Sequence, residues 1–456
     1  MRRILLVNPW ATDFSAFDLW ARPLGLLYLA GVVRQLGCEP ILLDCMDRHH
    51  KSLVERPYRP RPFSCGKYPA EEIVKPDAVK WVPRKFKRYG ISMEAFYQSL
   101  DAIGCPDLIL VGSRMTHWYP GVIAAIRILR ERFSGVPIAL GGAYPTLFPE
   151  HAKRFSRADY FARGEGENIV VQWIADLLKP SSSAQPFDLG DLDRLPEPAY
   201  DLLSGHDCLP FQTSRGCPHR CSYCASWRLF EPFRRCNPIR AADRLIAWVE
   251  RLGFCDVAFY DDALLAGAAR HFIPFCDRLL AERRRLGGNI RFHTPNGLDY
   301  AVLDEAVAER LARLGFETVR LSLETVNRER LRQLGRESDL LRFEAALQTL
   351  ARAGFDLRRV GVYVLFGLAG QTRAEIEQSV DYVLGLGAMP KLAEFSPLPF
   401  TAEWEKVRTL GDPPLEQEPL LTNNSVFYRL GTEFPDSWVN EMRHRIRDAR
   451  SASLPR

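Results

Sequence analysis

Cys217, Cys221 and Cys224 fall within eight residues, in the run Arg215-Gly216-Cys217-Pro218-His219-Arg220-Cys221-Ser222-Tyr223-Cys224. Thiolates are soft ligands suited to iron–sulfur clusters, zinc and copper(I). A structural zinc takes four ligands, usually as two separated pairs, and no second Cys or His pair lies at such spacing nearby. Three thiolates on one tight loop suit a 4Fe–4S cluster with one iron left open to another ligand. Three apolar core thiols would be the plain alternative, but Pro, His, Arg and Ser interleave these cysteines.

The pattern Cys-x3-Cys-x2-Cys, with Tyr223 before its last cysteine, resembles the signature of the radical S-adenosylmethionine (SAM) superfamily. The rest of the chain is long enough to position such a loop. Its 456 residues suffice for two or three domains with real cores, and 46% hydrophobic against 26% charged residues is ordinary for a globular protein. A net charge of +5 is too mild at this length to argue for nucleic acid. No apolar run approaches the roughly 18 residues of a membrane span, and the run after Arg2-Arg3 stops at Asn8-Pro9 and reads as a first strand. Eleven cysteines without a secretory pattern lead to the expectation of a reducing, cytoplasmic setting.

Short apolar runs at Ile4 to Val7, Ile41 to Asp44, Leu108 to Gly112 and Ile138 to Leu140 read as strands buried on both faces. Helical spacing at Leu24 to Leu36 and Val122 to Phe133 separates them, so residues 1–180 are expected to form an open, doubly wound (Rossmann-like) α/β sheet. Ligands of such sheets bind at the strands' carboxyl ends, where Gly112-Ser113-Arg114-Met115-Thr116 and Gly141-Gly142 supply hydroxyls and bare backbone. Together with Arg163-Gly164-Glu165-Gly166-Glu167, these loops resemble the cobalamin-binding domain that precedes the barrel in one branch of the superfamily. The resemblance implies that Ser113, Thr116, Gly141 and Gly142 line the slot for the cobalamin nucleotide tail. It departs at one point. The loop from Asn8 to Pro23 has no histidine, so cobalt is expected without a protein histidine ligand. Residues 46–100 form a long insert with twelve Lys or Arg against six Asp or Glu, expected to act as a lid or solvated insert.

A polar breaker at 180–186 and a Pro-rich acidic run to Tyr200 mark residues 181–204 as a linker. Beyond it, strand–helix alternation restarts over 205–400, with six strands expected near Leu209, Val257, Ile290, Thr318, Val360 and Leu392. Six such units fit a partial (β/α)6 barrel with its site at the strands' carboxyl ends, which is the radical SAM core fold. Residues 401–456 are expected as a small C-terminal extension packed on the barrel or substrate channel.

The resemblance implies that Cys217, Cys221 and Cys224 ligate a 4Fe–4S cluster whose open iron chelates SAM. It implies SAM contacts from Tyr223 near the adenine, from Asp261 and Asp262 after the second strand, and from Ser322 and Glu324 at the end of the fourth. Gly367 and Gly370, in Gly367-Leu368-Ala369-Gly370-Gln371, match the glycine-bearing motif against which adenine packs. Thr294 and Asn296 are weaker candidates for facing SAM or substrate. The implied activity is formation of a 5′-deoxyadenosyl radical, with cobalamin-dependent methyl transfer to an unactivated carbon. Rearrangement or cyclisation with a non-methylating or vestigial cobalamin domain is the alternative within the family, and a non-catalytic corrinoid sensor or carrier is the alternative outside it. An electron donor such as flavodoxin or ferredoxin is the implied partner, and the substrate is open.

Overall fold

The computed structural model describes residues 1–53, 62–178, 185–336 and 339–452. They form two compact units, one of residues 1–208 with 411–422, the other of 209–410 with 423–456.

In the first unit, β1 (Arg3–Asn8), β2 (Glu39–Asp44), β3 (Leu108–Val111), β4 (Ile138–Leu140) and β5 (Tyr160–Phe161) make a sheet of spatial order β5-β4-β3-β1-β2. Its pairs are parallel; β1 binds β2 from Arg3 opposite Glu39 and β3 from Ile4 opposite Leu108. This is the 2-1-3-4-5 doubly wound order, whose switch point lies between β1 and β3. Strand side chains alternate in direction, and here both directions are apolar. Ile4, Leu6, Leu108 and Leu110 join one core cluster with α1 (Leu24–Gln35) and α4 (Glu167–Leu178). Leu5, Val7, Ile109 and Val111 are equally buried on the other face, the reason the strands read as unbroken apolar runs. Helices α2 (Met93–Ile103) and α3 (Tyr119–Arg132) complete the alternation.

Three segments of this unit differ from the sequence expectation. Of the basic insert, residues 54–61 lie outside the described residues. The rest is not a free lid: Lys87–Tyr89 pairs antiparallel with both Ala11–Asp13 and Ala70–Glu72, extending the loop after β1. Its charges find local partners, Arg88 with Glu71 at 2.5 Å and Lys85 with Glu72 at 2.7 Å. The breaker at 179–184 also lies outside the described residues. The acidic run after it folds onto α1, where the Ala199 N–H donates to Leu27 O and Leu192, Leu195 and Tyr200 are buried. Finally, 411–422 belongs to this unit rather than to a barrel extension. Burial of Leu415, Leu420 and Leu421 drives that placement.

The second unit contains six parallel strand positions. β6 (Cys208–Phe211), β7 (Asp256–Phe259), β8 (Arg291–His293) and β9 (Phe316–Thr318) form one run, and β10 (Arg320–Glu324), β11 (Gly361–Phe366) and β12 (Met389–Glu394) the other. β9 and β10 are halves of one fourth strand, interrupted at Val319, and a Leu298–Leu321 bridge continues the pairing. Helices α5 (Pro238–Leu252), α6 (Phe272–Ala281), α7 (Glu305–Leu314), α8 (Leu340–Arg352) and α9 (Arg373–Gly385) follow successive strands, giving the open (β/α)6 arrangement. Asn237 caps α5 by accepting from two backbone N–H groups, and Gly253, at φ 72°, ends it. Phe259 stacks on Phe292 and Phe316, with ring centroids 6.1 and 5.7 Å away, and joins the strands from within the core. α10 (Asp436–Ala452) follows and packs against β12. Among the described residues no helix is long and apolar enough to cross a membrane.

Candidate functional site

The cysteine loop leaves β6 through a turn that only glycine accommodates. Gly216 has φ 80°, and a Cβ there would lie 2.1 Å from Phe230 O. Carboxylates anchor both ends of the loop. Asp261 accepts from the Thr213 N–H at 3.1 Å, the Thr213 hydroxyl at 2.7 Å and the Ser214 hydroxyl at 2.6 Å. Asp262 accepts from the Ser226 hydroxyl at 3.0 Å. Between the anchors, the Ser222 N–H donates to Leu334 O, and Ser222 also exchanges hydrogen bonds with Glu403 through hydroxyl and backbone.

Cys221 is buried, whereas Cys217 and Cys224 are partly exposed. Burial pushes the Cys217 thiol up to about 11, helped by the Asp262 carboxylate and by the other two thiols; burial raises Cys224 too. Each sulfur is thus within electrostatic reach of the others. Among the described residues, no three Cys, His, Asp or Glu side chains meet as ligands of a single metal ion. A cubane asks for something else, since each thiolate binds a different iron and the sulfurs must line a cradle rather than converge on a point. Three thiols of suitable softness on one pinned loop, with no fourth cysteine in it, fit that cluster.

The structure brings Tyr223, Ser322 and Glu324 together. Glu324 ends β10 in the left-handed region, at φ 69°, an uncommon conformation for a side-chain-bearing residue. Its carboxylate lies within electrostatic reach of the Tyr223 hydroxyl and of Arg336. Burial pushes the Glu324 carboxyl up, while Arg336 and the Tyr223 hydroxyl draw it back. Arg336 also donates to Ser322 O at 3.1 Å. Sequence reasoning missed Arg336, which follows a short helix and carries no motif. Ser322 presses on Gly297, where a Cβ would sit 1.9 Å from Ser322 Oγ.

Other expected residues make bonds and turns within the framework. All the hydrogen bonds seen at the Asp261 carboxylate come from Thr213 and Ser214, so it holds the start of the cysteine loop. Asn296 donates to Asp261 O at 3.0 Å, and the Thr294 hydroxyl donates to Thr318 O. Gly367 and Gly370 have φ 96° and 68° and shape a turn after β11. Gln371 closes it, donating to Leu365 O and accepting from the Leu368 N–H.

In the first unit, Ser113, Gly141 and Gly142 form one contact between the loops after β3 and β4. The Ser113 hydroxyl donates to Gly141 O at 2.8 Å and accepts from the Tyr144 N–H at 3.1 Å. A Cβ at Gly142, whose φ is 96°, would lie 2.2 Å from Ser113 O. At Gly141 an added Cβ would meet Ala162 Cβ at 3.5 Å, an ordinary contact. Thr116 stands apart from this contact, 3.1 Å from the Thr422 hydroxyl. A second missed residue is His117, which is buried with Nε2 3.5 Å from Asp13 Oδ2 and Nδ1 without a hydrogen-bond partner.

Residues 211–383 match the Radical SAM superfamily model. An anaerobic magnesium-protoporphyrin IX monomethyl ester cyclase of Synechocystis is 27% identical over 260 residues, a match spanning about half of each protein (51%). A cytidylyl-2-hydroxyethylphosphonate methyltransferase of Streptomyces wedmorensis is 23% identical over 84% of this chain and 77% of its own length. Among solved structures, the radical SAM methyltransferase TsrM of Kitasatospora setae, with tryptophan and a SAM analogue bound, aligns with a TM-score of 0.66 at 16% identity. That alignment covers 90% of this chain and 76% of TsrM, and at this identity it speaks for the fold. Residues 211–383 thus form a radical SAM superfamily domain, and the shared fold extends over the doubly wound unit ahead of it.

Proposed function

We propose that this enzyme binds a 4Fe–4S cluster through Cys217, Cys221 and Cys224, cleaves SAM reductively, and uses cobalamin to methylate an unactivated carbon. The observation that carries the reading is the three-thiol loop, tied by Asp261 to the end of β7, with Tyr223 facing Glu324 at the end of β10. An open-iron cluster supplies the electron that splits SAM into methionine and the 5′-deoxyadenosyl radical, and a corrinoid supplies a methyl group. The chain's own residues hold and exclude. Asp262 faces the thiols, Glu324 offers a buried carboxylate for the SAM ammonium, and Ser322 stands for the ribose. The Gly367–Gly370 turn gives a flat surface for adenine, and Ser113, Gly141 and Gly142 hold the nucleotide tail of cobalamin without a histidine from the loop after β1. Thr116 joins that slot only through its loop. A flavodoxin or ferredoxin delivers the electron.

Similarity along 84% of the chain to a methyltransferase of a phosphonate supports methyl transfer. The cyclase likeness supports a second reading, radical cyclisation or rearrangement with the same cofactors. Anaerobic reconstitution with methylcobalamin, dithionite and methyl-labelled SAM separates them. Methyl transfer yields 5′-deoxyadenosine together with S-adenosylhomocysteine and a labelled product. Deoxyadenosine without S-adenosylhomocysteine defeats it.

A further inference from the structure

One short segment reaches the cysteine loop, the end of β10 and the glycine turn after β11, all parts of the barrel mouth that the proposed reaction uses. It follows β10 and contains the helix Arg328–Gln333, capped by Asn327, whose side chain accepts from the Arg330 N–H. Beyond the helix, Leu334 O accepts from the Ser222 N–H of the cysteine loop at 3.1 Å. Gly335, at φ 69°, lies against the same loop: a Cβ there would be 3.5 Å from Arg220 O and 3.9 Å from Cys221 Cα. Arg336 then donates to Ser322 O on β10. Leu331 and Leu334 are buried and root the segment in the core.

Arg330 carries the segment's reach to the turn. Its guanidinium donates to Gly370 O at 2.8 Å and to Ala369 O at 3.4 Å. It also donates to both carboxylate oxygens of Glu375, in α9, at 3.3 Å. Glu375 accepts in addition from the Thr325 hydroxyl at 3.2 Å, and Thr325 directly follows Glu324. The Arg330 and Glu375 side chains are only 14% and 7% exposed, so solvent screens the pair little. Gln371 fastens the inner half of the turn to β11, whereas Ala369 and Gly370 are exposed. A Cβ on Gly370 would meet nothing within 4 Å. Packing gives this outer half little support. A guanidinium presents its donors in a rigid plane, so one side chain fixes two carbonyls relative to a carboxylate.

We infer that Arg330 is a positioning residue for the adenosyl half of SAM, through which the helix Arg328–Gln333 sets the Gly367–Gly370 turn relative to the cysteine loop and the end of β10. The inference rests on the reading of this barrel as a SAM-cleaving unit and deepens it. Reductive cleavage breaks the bond between the sulfonium and the adenosyl 5′ carbon, so the seat of the adenine decides where that carbon stands. The amino-acid half of SAM is held elsewhere and does not depend on the turn.

Full-length protein, reconstituted anaerobically with iron and sulfide and left unreduced, tests this by equilibrium dialysis of labelled SAM, with 5′-methylthioadenosine and methionine as competitors. The first competitor carries adenine and ribose without the amino acid, and the second the amino acid without adenine. Arg330→Met alone strands the Glu375 carboxylate, so it is combined with Glu375→Gln. The double variant unfolds near the wild-type temperature, binds SAM and methylthioadenosine about tenfold more weakly, and binds methionine as wild type does. Arg330→Lys keeps the ion pair but loses the fork, and shows the same split at about threefold. Equal weakening of all three ligands marks a merely structural role and overturns the inference. Wild-type methylthioadenosine affinity in either variant overturns it too. Wild-type protein that fails to bind SAM strikes the proposed reaction and this role with it, whereas a uniform loss in the variants strikes the positioning role alone.

Discussion

The Tyr223 hydroxyl faces the buried Glu324 carboxylate, setting the residue before the last cysteine of the loop beside the end of the barrel's fourth strand. The cysteine loop and the end of β10 therefore meet at these two side chains. Tyr223→Phe leaves that carboxylate with Arg336 as its charge partner. Without the hydroxyl the Glu324 carboxyl rises further, and a carboxyl that holds its proton more tightly binds an ammonium less well, so on the proposed reading SAM affinity falls by about tenfold. Equilibrium dialysis with labelled SAM measures this, and an unchanged affinity removes the link.

Substituting any one of Cys217, Cys221 or Cys224 with Ala abolishes 5′-deoxyadenosine formation and depletes iron in the reconstituted protein. Iron analysis and product chromatography read the two effects. Wild-type deoxyadenosine formation in any of the three variants overturns the cluster assignment.

Asp261 acts through the loop it holds. Asp261→Ala leaves the Thr213 N–H and two hydroxyls without their acceptor in a buried setting, at about 1–3 kcal/mol each before relaxation. Iron content and thermal midpoint fall together, whereas Asp261→Asn keeps one acceptor oxygen and recovers part of both. Normal iron loading in Asp261→Ala returns this residue to a direct SAM role.

The two neighbouring glycines separate folding from cofactor retention. Gly142→Ala drives a methyl group into Ser113 O at positive φ and destabilises the first unit by about 1–3 kcal/mol. Gly141→Ala meets only ordinary contact, folds as wild type, and, if this backbone lines the proposed cobalamin slot, lowers corrinoid retention. Urea unfolding and the visible corrinoid bands check each. Equal retention in Gly141→Ala and wild type moves the cobalamin slot elsewhere.

Asp44, at the end of β2, gives the first unit a pH signature. Burial, with Asp47 nearby, pushes its carboxyl up to about 6, although Asn8 donates to it at 2.6 Å. The folded state holds the proton more tightly than the unfolded chain, so stability falls as pH rises from about 4 through about 6, by at most about 3 kcal/mol. Asp44→Asn removes that contribution. Unfolding midpoints at pH 4.5 and 7 differ less in the variant, and an identical pH slope rejects the assignment.

The local signals that lie in contiguous residues were legible without a structure. Cys217, Cys221 and Cys224 carry their chemistry in their spacing, and unbroken apolar runs such as Ile4 to Val7 announce strands covered on both faces. Strand–helix alternation then implied both α/β units. What spacing cannot encode is which distant groups satisfy one another. Asp261 turned toward Thr213 because a buried carboxylate needs donors and three lay within reach. Arg336 reached Glu324 and Tyr223 from a turn with no motif. Residues 411–422 joined the first unit because their leucines found burial there. The three thiols proposed as cluster ligands were set by sequence, since a loop of eight residues is its own geometry. The anchors and the partners of buried charges were decided by tertiary structure, where desolvation sets which groups must meet.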